Sequence, residues 1–272
     1  MTGSTDRSDV FRTLHASGCF VIPNPWDVGS ARYLAGLGFK ALATTSSGFA
    51  WTLGRSDNRV TLEEALAHFQ AIAGGVDLPV NADFEGGFAI EPAGVAANVT
   101  RAAMTGIAGV SIEDSTGDAA EPLFDFELSV ERIRAARSAI DASGTGVLLT
   151  GRSEGFIVGR PDLAETIRRL AAYADAGAEC LYAPGIRTMA DITAVVSAVA
   201  PKPVNVLVGS DFTTVAELAA AGVRRISVGG ALARAAWTGF IRAATEIAQQ
   251  GTFEGLSGAL PFADIDGSFG GG

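Results

Sequence analysis

Cysteine and histidine are scarce in this chain, with two of each among 272 residues. Cys19 and Cys180 both fall inside apolar runs, so they read as buried thiols rather than a disulfide framework. His15 and His68 lie in helical stretches away from strand ends, so a zinc–histidine site is not expected. The chain has no run of Lys and Arg, and its net charge is −10. That balance argues against nucleic acid and anionic membrane as partners, but not against a small anionic substrate met by local arginines or a metal. No apolar run approaches the length needed to cross a bilayer, and Met1 to Asp9 carries no apolar signal segment. A cytoplasmic protein is the expectation. No G-x-G-x-x-G follows the first strand, which weighs against an open dinucleotide-binding sheet.

What the chain has is an aliphatic core, with 48% apolar residues, and a rhythm. A short apolar strand, a polar residue, a loop and an amphipathic helix recur eight times. The strands are expected near Cys19–Ile22, Ala41–Thr44, Val80–Ala82, Gly109–Ile112, Val147–Thr150, Cys180–Tyr182, Pro203–Val206 and Arg225–Val228. Thr61-Leu62-Glu63-Glu64 is a capping box that opens a helix. Eight strand–helix units in order imply parallel strands, and eight close a barrel. The expected fold is α/β, a (β/α)8 TIM barrel over 1–272 as one domain, with 251–272 as a C-terminal extension and flexible tail. Phe253 to Ile265 adds apolar residues beyond the barrel. They either cover the barrel bottom or pack on another subunit.

In such a barrel the active site lies at the carboxyl ends of the strands. Those ends carry Asp27, Thr45 to Ser47, Asp83, Glu85, Glu113, Arg152 and Asn205. Asp83 and Glu85 are two apart, and residues two apart on an extended chain point the same way. Close carboxylates repel unless a proton or cation sits between them. With Glu113 they form an all-oxygen set that suits Mg2+, or Mn2+, held directly or through water. The bland alternative is a solvated acidic loop. Arg152 offers a planar fork to a carboxylate, or else merely neutralises Glu113. Ser46, Ser47 and Gly48 offer hydroxyls and N–H groups, or form a polar turn. Gly229-Gly230 follows strand eight, where barrels often bind phosphate, although tight packing explains it as well.

Asn24-Pro25-Trp26-Asp27, Thr45-Ser46-Ser47-Gly48, Asp57, Asn81-Ala82-Asp83-Phe84-Glu85, Ser111-Ile112-Glu113-Asp114, Gly151-Arg152 and Pro203-Val204-Asn205 together carry a resemblance. The chain resembles the isocitrate lyase/phosphoenolpyruvate mutase superfamily over nearly its full length. The resemblance implies a barrel that exchanges its last helix between partners in a homodimer or homotetramer, Mg2+, and a small carboxylate substrate. It makes Asp83, Glu85 and Glu113 the metal carboxylates, where the family more often has Asp at the Glu85 position. It makes Asp57 an acid near the substrate, Thr45 to Gly48 its carboxylate cradle, Arg152 its arginine and Asn205 a strand-seven contact. Catalytic roles fall to Arg152, Asp57 and Glu113. The loop Ser115-Thr116-Gly117-Asp118-Ala119-Ala120-Glu121-Pro122 departs from the family. It lacks the cysteine of the isocitrate-type lyases and the lysine and asparagine of the phosphonomutases. The function this implies is a Mg2+-dependent carbon–carbon lyase acting on a 2-oxo or 2-hydroxy dicarboxylate through an enolate. Oxaloacetate decarboxylation and 2-alkylmalate-type cleavage both fit that description. The alternatives are P–C bond chemistry on a phosphonate, and a non-catalytic 2-oxo acid binder.

Overall fold

The computed structural model describes residues 6–269; Met1 to Thr5 and Gly270 to Gly272, at the ends of the polar leader and the tail, lie outside them. The chain opens with helix α1 (Arg7–Ala16), followed by β1 (Phe20–Ile22), α2 (Val28–Gly36), β2 (Leu42–Ala43), α3 (Ser46–Thr52) and α4 (Leu62–Gly75). It continues through β3 (Val80–Asp83), α5 (Pro92–Ala103), β4 (Gly109–Glu113), α6 (Phe126–Ser143), β5 (Leu148–Arg152) and α7 (Leu163–Asp175). Next come β6 (Cys180–Tyr182), α8 (Met189–Ala198), β7 (Val204–Leu207), α9 (Val215–Ala220), β8 (Arg225–Ser227) and α10 (Ala231–Gln250). A 3-10 turn (Glu254–Leu256) and α11 (Phe262–Gly267) end it.

All eight strands pair in parallel, in the order β1-β8-β7-β6-β5-β4-β3-β2. At the remaining seam Ala43 N–H donates to the Pro23 carbonyl at 3.0 Å, which brings β2 against the end of β1. The sheet is thus a nearly closed (β/α)8 barrel. Alternation divides each strand between two environments. Val80 and Ala82, Val110 and Ile112, and Val204 and Val206 face the helices and form the main apolar core. Asn81 and Asp83, Ser111, and Asn205 line the interior instead. The capping box at Thr61 and Glu64 forms as expected.

Four local expectations need correction. Thr45 to Gly48 is not a polar turn: Thr45 caps α3, its Oγ1 accepting from Gly48 N–H at 3.4 Å. The helical stretch expected around His15 forms as α1 but begins at Arg7, inside the segment read as polar leader, and its Phe11 and His15 pack on Phe20 and plug the lower end of the barrel. Cys19 is only half-buried, whereas Cys180 is buried. The segment after α10 does not cover the barrel bottom. Among the described residues Phe253, Leu260 and Phe262 are exposed (64, 63 and 83%), as are Phe240 and Ile241 on α10. No helix among the described residues is long and apolar enough to cross a membrane.

Candidate active site

The carboxyl ends of β3, β4 and β5 place an arginine among acids. Arg152, the last residue of β5, lies 3.1 Å from Asp83 Oδ1 and 3.1 Å from Glu113 Oε2 through the same Nη1. Its Nε donates to Glu154, and the Tyr182 ring lies 5.2 Å from its guanidinium carbon. Burial works against the Arg152 charge, but Glu113, Glu154 and Asp83 outweigh burial and raise its pKa well above the usual range. Register explains the meeting: Glu113 pairs with Arg152 across β4 and β5, and Arg152 pairs with Tyr182 across β5 and β6.

Asp83 is fixed from below and beside. Its backbone N–H donates to Thr44 Oγ1 at 2.9 Å, and its Oδ2 accepts from Ser46 N–H at 3.0 Å. The extended alternation expected between Asp83 and Glu85 does not persist. The chain leaves the strand after Asp83, and Glu85 sits at φ +47°, a left-handed conformation that costs a non-glycine residue about 1–2 kcal/mol. This turn, not alternation, aims Glu85 at the site. Its carbonyl accepts from Glu113 N–H at 3.0 Å, which ties the turn to β4.

The electrostatics follow from crowding. Burial, then the charges of Asp83 and Asp57, push Glu85 up to about 8. Burial also raises Glu113 well above the ordinary carboxyl range; Arg152 opposes this, while Glu154, Asp83 and Glu85 add to it. Asp57, at the exposed rim, is raised by desolvation and then by Asp83. One guanidinium therefore faces Asp57, Asp83, Glu85, Glu113 and Glu154. This surplus of oxygen ligands fits a hard divalent cation, which would replace the missing positive charge. Among the described residues, no three His, Cys, Asp or Glu side chains converge tightly enough to hold a metal unaided. The set fits an ion that keeps waters and takes substrate oxygens in part of its shell, as Mg2+ does.

The expected residues divide between two connected spaces. Thr45, Ser46, Ser47, Asp83, Arg152 and Asn205 line an inner pocket of about 140 Å³. That is well below the roughly 300–1,000 Å³ of sites for drug-sized ligands, and suits a small metabolite. Asp57 borders this pocket and an outer cleft of about 440 Å³ that also holds Glu85, Glu113 and the 115–122 loop. Two expectations miss the site. Asp27 caps α2 through Ser30 N–H at 2.6 Å and lines neither space. Gly48 is buried behind the cradle, where a Cβ would stand 2.7 Å from Thr45 Cγ2 and 3.0 Å from Trp26 Cβ. His15 and His68 are buried in packing roles, with His68 stacked 3.9 Å from Phe49.

Several site residues escape a sequence reading. Asn24 Oδ1 accepts from Val228 and Gly229 N–H at 3.0 and 2.9 Å, holding the β8 turn beside the pocket. Asp114 does not face the rim. Its carboxylate accepts from Glu154 N–H (2.7 Å), Tyr173 Oη (2.6 Å) and Arg169 (3.1 Å), so it pins the turn after β5 that carries Glu154. The adjacent acids Glu113 and Asp114 gave the one available signal, since neighbours on a strand face opposite sides.

The family model for phosphoenolpyruvate phosphomutase matches residues 11–248. A crystal structure of a candidate lyase/mutase from Burkholderia cenocepacia J2315 superposes with a TM-score of 0.93 at 48% identity, covering 98% of this chain and 96% of that one. An uncharacterised Mycobacterium tuberculosis protein is 32% identical over 94% of both chains. The oxaloacetate decarboxylase of Bradyrhizobium diazoefficiens is 30% identical over 68% of this chain and 65% of its own length. Oxaloacetate acetylhydrolase bound to its product oxalate superposes with a TM-score of 0.85 at 26% identity, covering 97% and 93% of the two chains. The chain belongs to the isocitrate lyase/phosphoenolpyruvate mutase superfamily, a family of lyases and mutases.

Proposed function

We propose that the protein is a Mg2+-dependent carbon–carbon lyase acting on a small 2-oxo or 2-hydroxy dicarboxylate, with oxaloacetate as the first substrate to test. The observation that carries this reading is Arg152 held among five carboxylates over a pocket of metabolite size. Mg2+, when bound among Asp83, Glu85 and Glu113, supplies positive charge where an enolate oxygen develops. Arg152 donates to the substrate's oxo oxygen or carboxylate, its plane fixed by Glu154 and Tyr182. The hydroxyls of Ser46 and Ser47 stand at the same pocket and orient a substrate carboxylate. Asp57, whose pKa is raised by desolvation and then by Asp83, would hold or pass a proton at the rim.

The loop from Ser115 to Pro122 contains no cysteine, lysine or histidine to act as an acid toward a leaving enolate. Decarboxylation suits such a site, because solvent can protonate the enolate after CO2 departs. The similarity to oxaloacetate decarboxylase and to oxaloacetate acetylhydrolase supports the same substrate class. Assembly into homodimers or homotetramers is part of the proposal, supported by the exposed apolar surface of α10 and the segment after it. The test is release of pyruvate from oxaloacetate, abolished by EDTA and well above the rate with free Mg2+. No product from any of a panel of C4 to C6 diacids would overturn the reading.

A further inference from the structure

Arg225, the first residue of β8, is buried within the barrel at 3% exposure. Its Nε donates to Asn205 Oδ1 at 2.9 Å and its Nη2 to Thr150 Oγ1 at 3.1 Å; its Nη1 lies 3.4 Å from His15 Nε2. None of these partners carries a negative charge. Neither of the other two deeply buried arginines lines the inner pocket, and both use their donors within the fold. Arg169 reaches Asp114 and Glu165, and Arg132 is spent on the carbonyls of Gly86, Ala89 and Ile90.

His15 cannot compensate Arg225. Its Nδ1 bonds the Phe11 carbonyl at 2.7 Å, and burial, then Arg225, lower its pKa to about 3. A guanidinium has five N–H donors, and the three contacts leave two of them over. A buried charge without a counter-ion is costly unless a ligand brings the opposite sign. Arg225 lines the same inner pocket as Arg152, but from the first residue of its strand rather than the last. The pocket is thus polarised, with acids at the mouth and a lone cation at the floor.

We propose that Arg225 forms an anion subsite on the barrel floor that takes one carboxylate of a dicarboxylic substrate, while the other end of the acid lies at the mouth against Arg152. This rests on reading the site as one for small diacids, and it names the side chain that separates them from pyruvate-sized monoacids. Arg225 also holds the Asn205 amide by its oxygen, which turns Nδ2 toward Ser227 Oγ at 2.9 Å and fixes the floor's shape.

The experiment is titration calorimetry in EDTA with two probes, succinate and pyruvate. Succinate affinity is expected to fall tenfold or more in Arg225→Gln, with pyruvate affinity changed less than threefold. Equal losses for both acids, or no loss, would overturn the subsite. Crystals of the wild-type protein grown with succinate provide a measurement that does not depend on the variant folding. A carboxylate within hydrogen-bond distance of the Arg225 guanidinium is expected; succinate bound elsewhere, or not at all, overturns the proposal. Failure of the lyase reading shows differently, as absent turnover with this binding split intact.

Discussion

Replacing Arg152 with alanine separates a substrate site from a merely neutralised acidic cluster. The side chain is held by Asp83, Glu113 and Glu154 and backed by Tyr182, so its fork is pre-set for a planar anion. Hydrogen bonds to charged groups contribute about 1.5–3 kcal/mol each, and a bidentate fork makes two. Their loss corresponds to about 10²- to 10⁴-fold in affinity at about 1.4 kcal/mol per tenfold. The same change strips a buried counter-charge from Glu113 and Glu154, a further loss of about 3–5 kcal/mol in fold stability. A domain with about 10 kcal/mol in hand, the middle of the usual range, remains folded after that loss, and the melting curve reports it. Calorimetric titration of oxalate in Mg2+, with a melting curve on the same sample, reads both effects. Arg152→Lys keeps the charge but not the fork, so it should fold better than the alanine variant and still bind weakly. Oxalate binding within threefold of wild type in a folded alanine variant would refute the reasoning.

Further expectations concern other parts of the chain. Gly48→Ala puts a methyl 2.7 Å from Thr45 Cγ2 and should destabilise the protein by about 1–3 kcal/mol in urea unfolding; an unchanged midpoint would contradict the packing described. His15 has its folded pKa depressed to about 3, so the unfolded chain binds its proton first as pH falls. Stability should therefore be unaffected by His15 above about pH 6.5 and fall by about 1.4 kcal/mol per pH unit below it, down to the folded pKa. His15→Gln should remove that component, and identical slopes in wild type and variant between pH 6.5 and 4 would refute it. A chain ending at Gly251 loses Phe253, Leu260 and Phe262 from the exposed apolar surface. Sedimentation should show it in a smaller assembly than the full chain, and an unchanged assembly would place the contact elsewhere.

The barrel and most of its rim are legible in the sequence because each strand is a short apolar run that stops at a polar residue. Asp83, Glu113 and Arg152 each end a strand, and the register brings them together. Residues whose role depends on leaving regular structure are harder to read. Glu85 reaches the site through a left-handed turn that the Asp-Phe-Glu spacing does not disclose. Helix α3 hides in Thr-Ser-Ser-Gly, where the same residues that favour turns also cap helices. Asp27 is the converse, a strand-end acid diverted to a cap by Ser30. Arg225 opens the expected eighth strand directly after Arg224. Only closure of the barrel makes one of the two an interior residue, while Arg224 stays at the surface on the Gly18 carbonyl.

The claim beneath the enzymatic account is that a divalent ion is held by acids at the mouth of the barrel. Calorimetric titration of the metal-free protein with Mg2+, alongside Asp83→Asn, tests it most directly. The account predicts one site per chain in the wild type and at least tenfold weaker binding in the variant. Absence of binding in the wild type, or equal affinity in the two proteins, would contradict it.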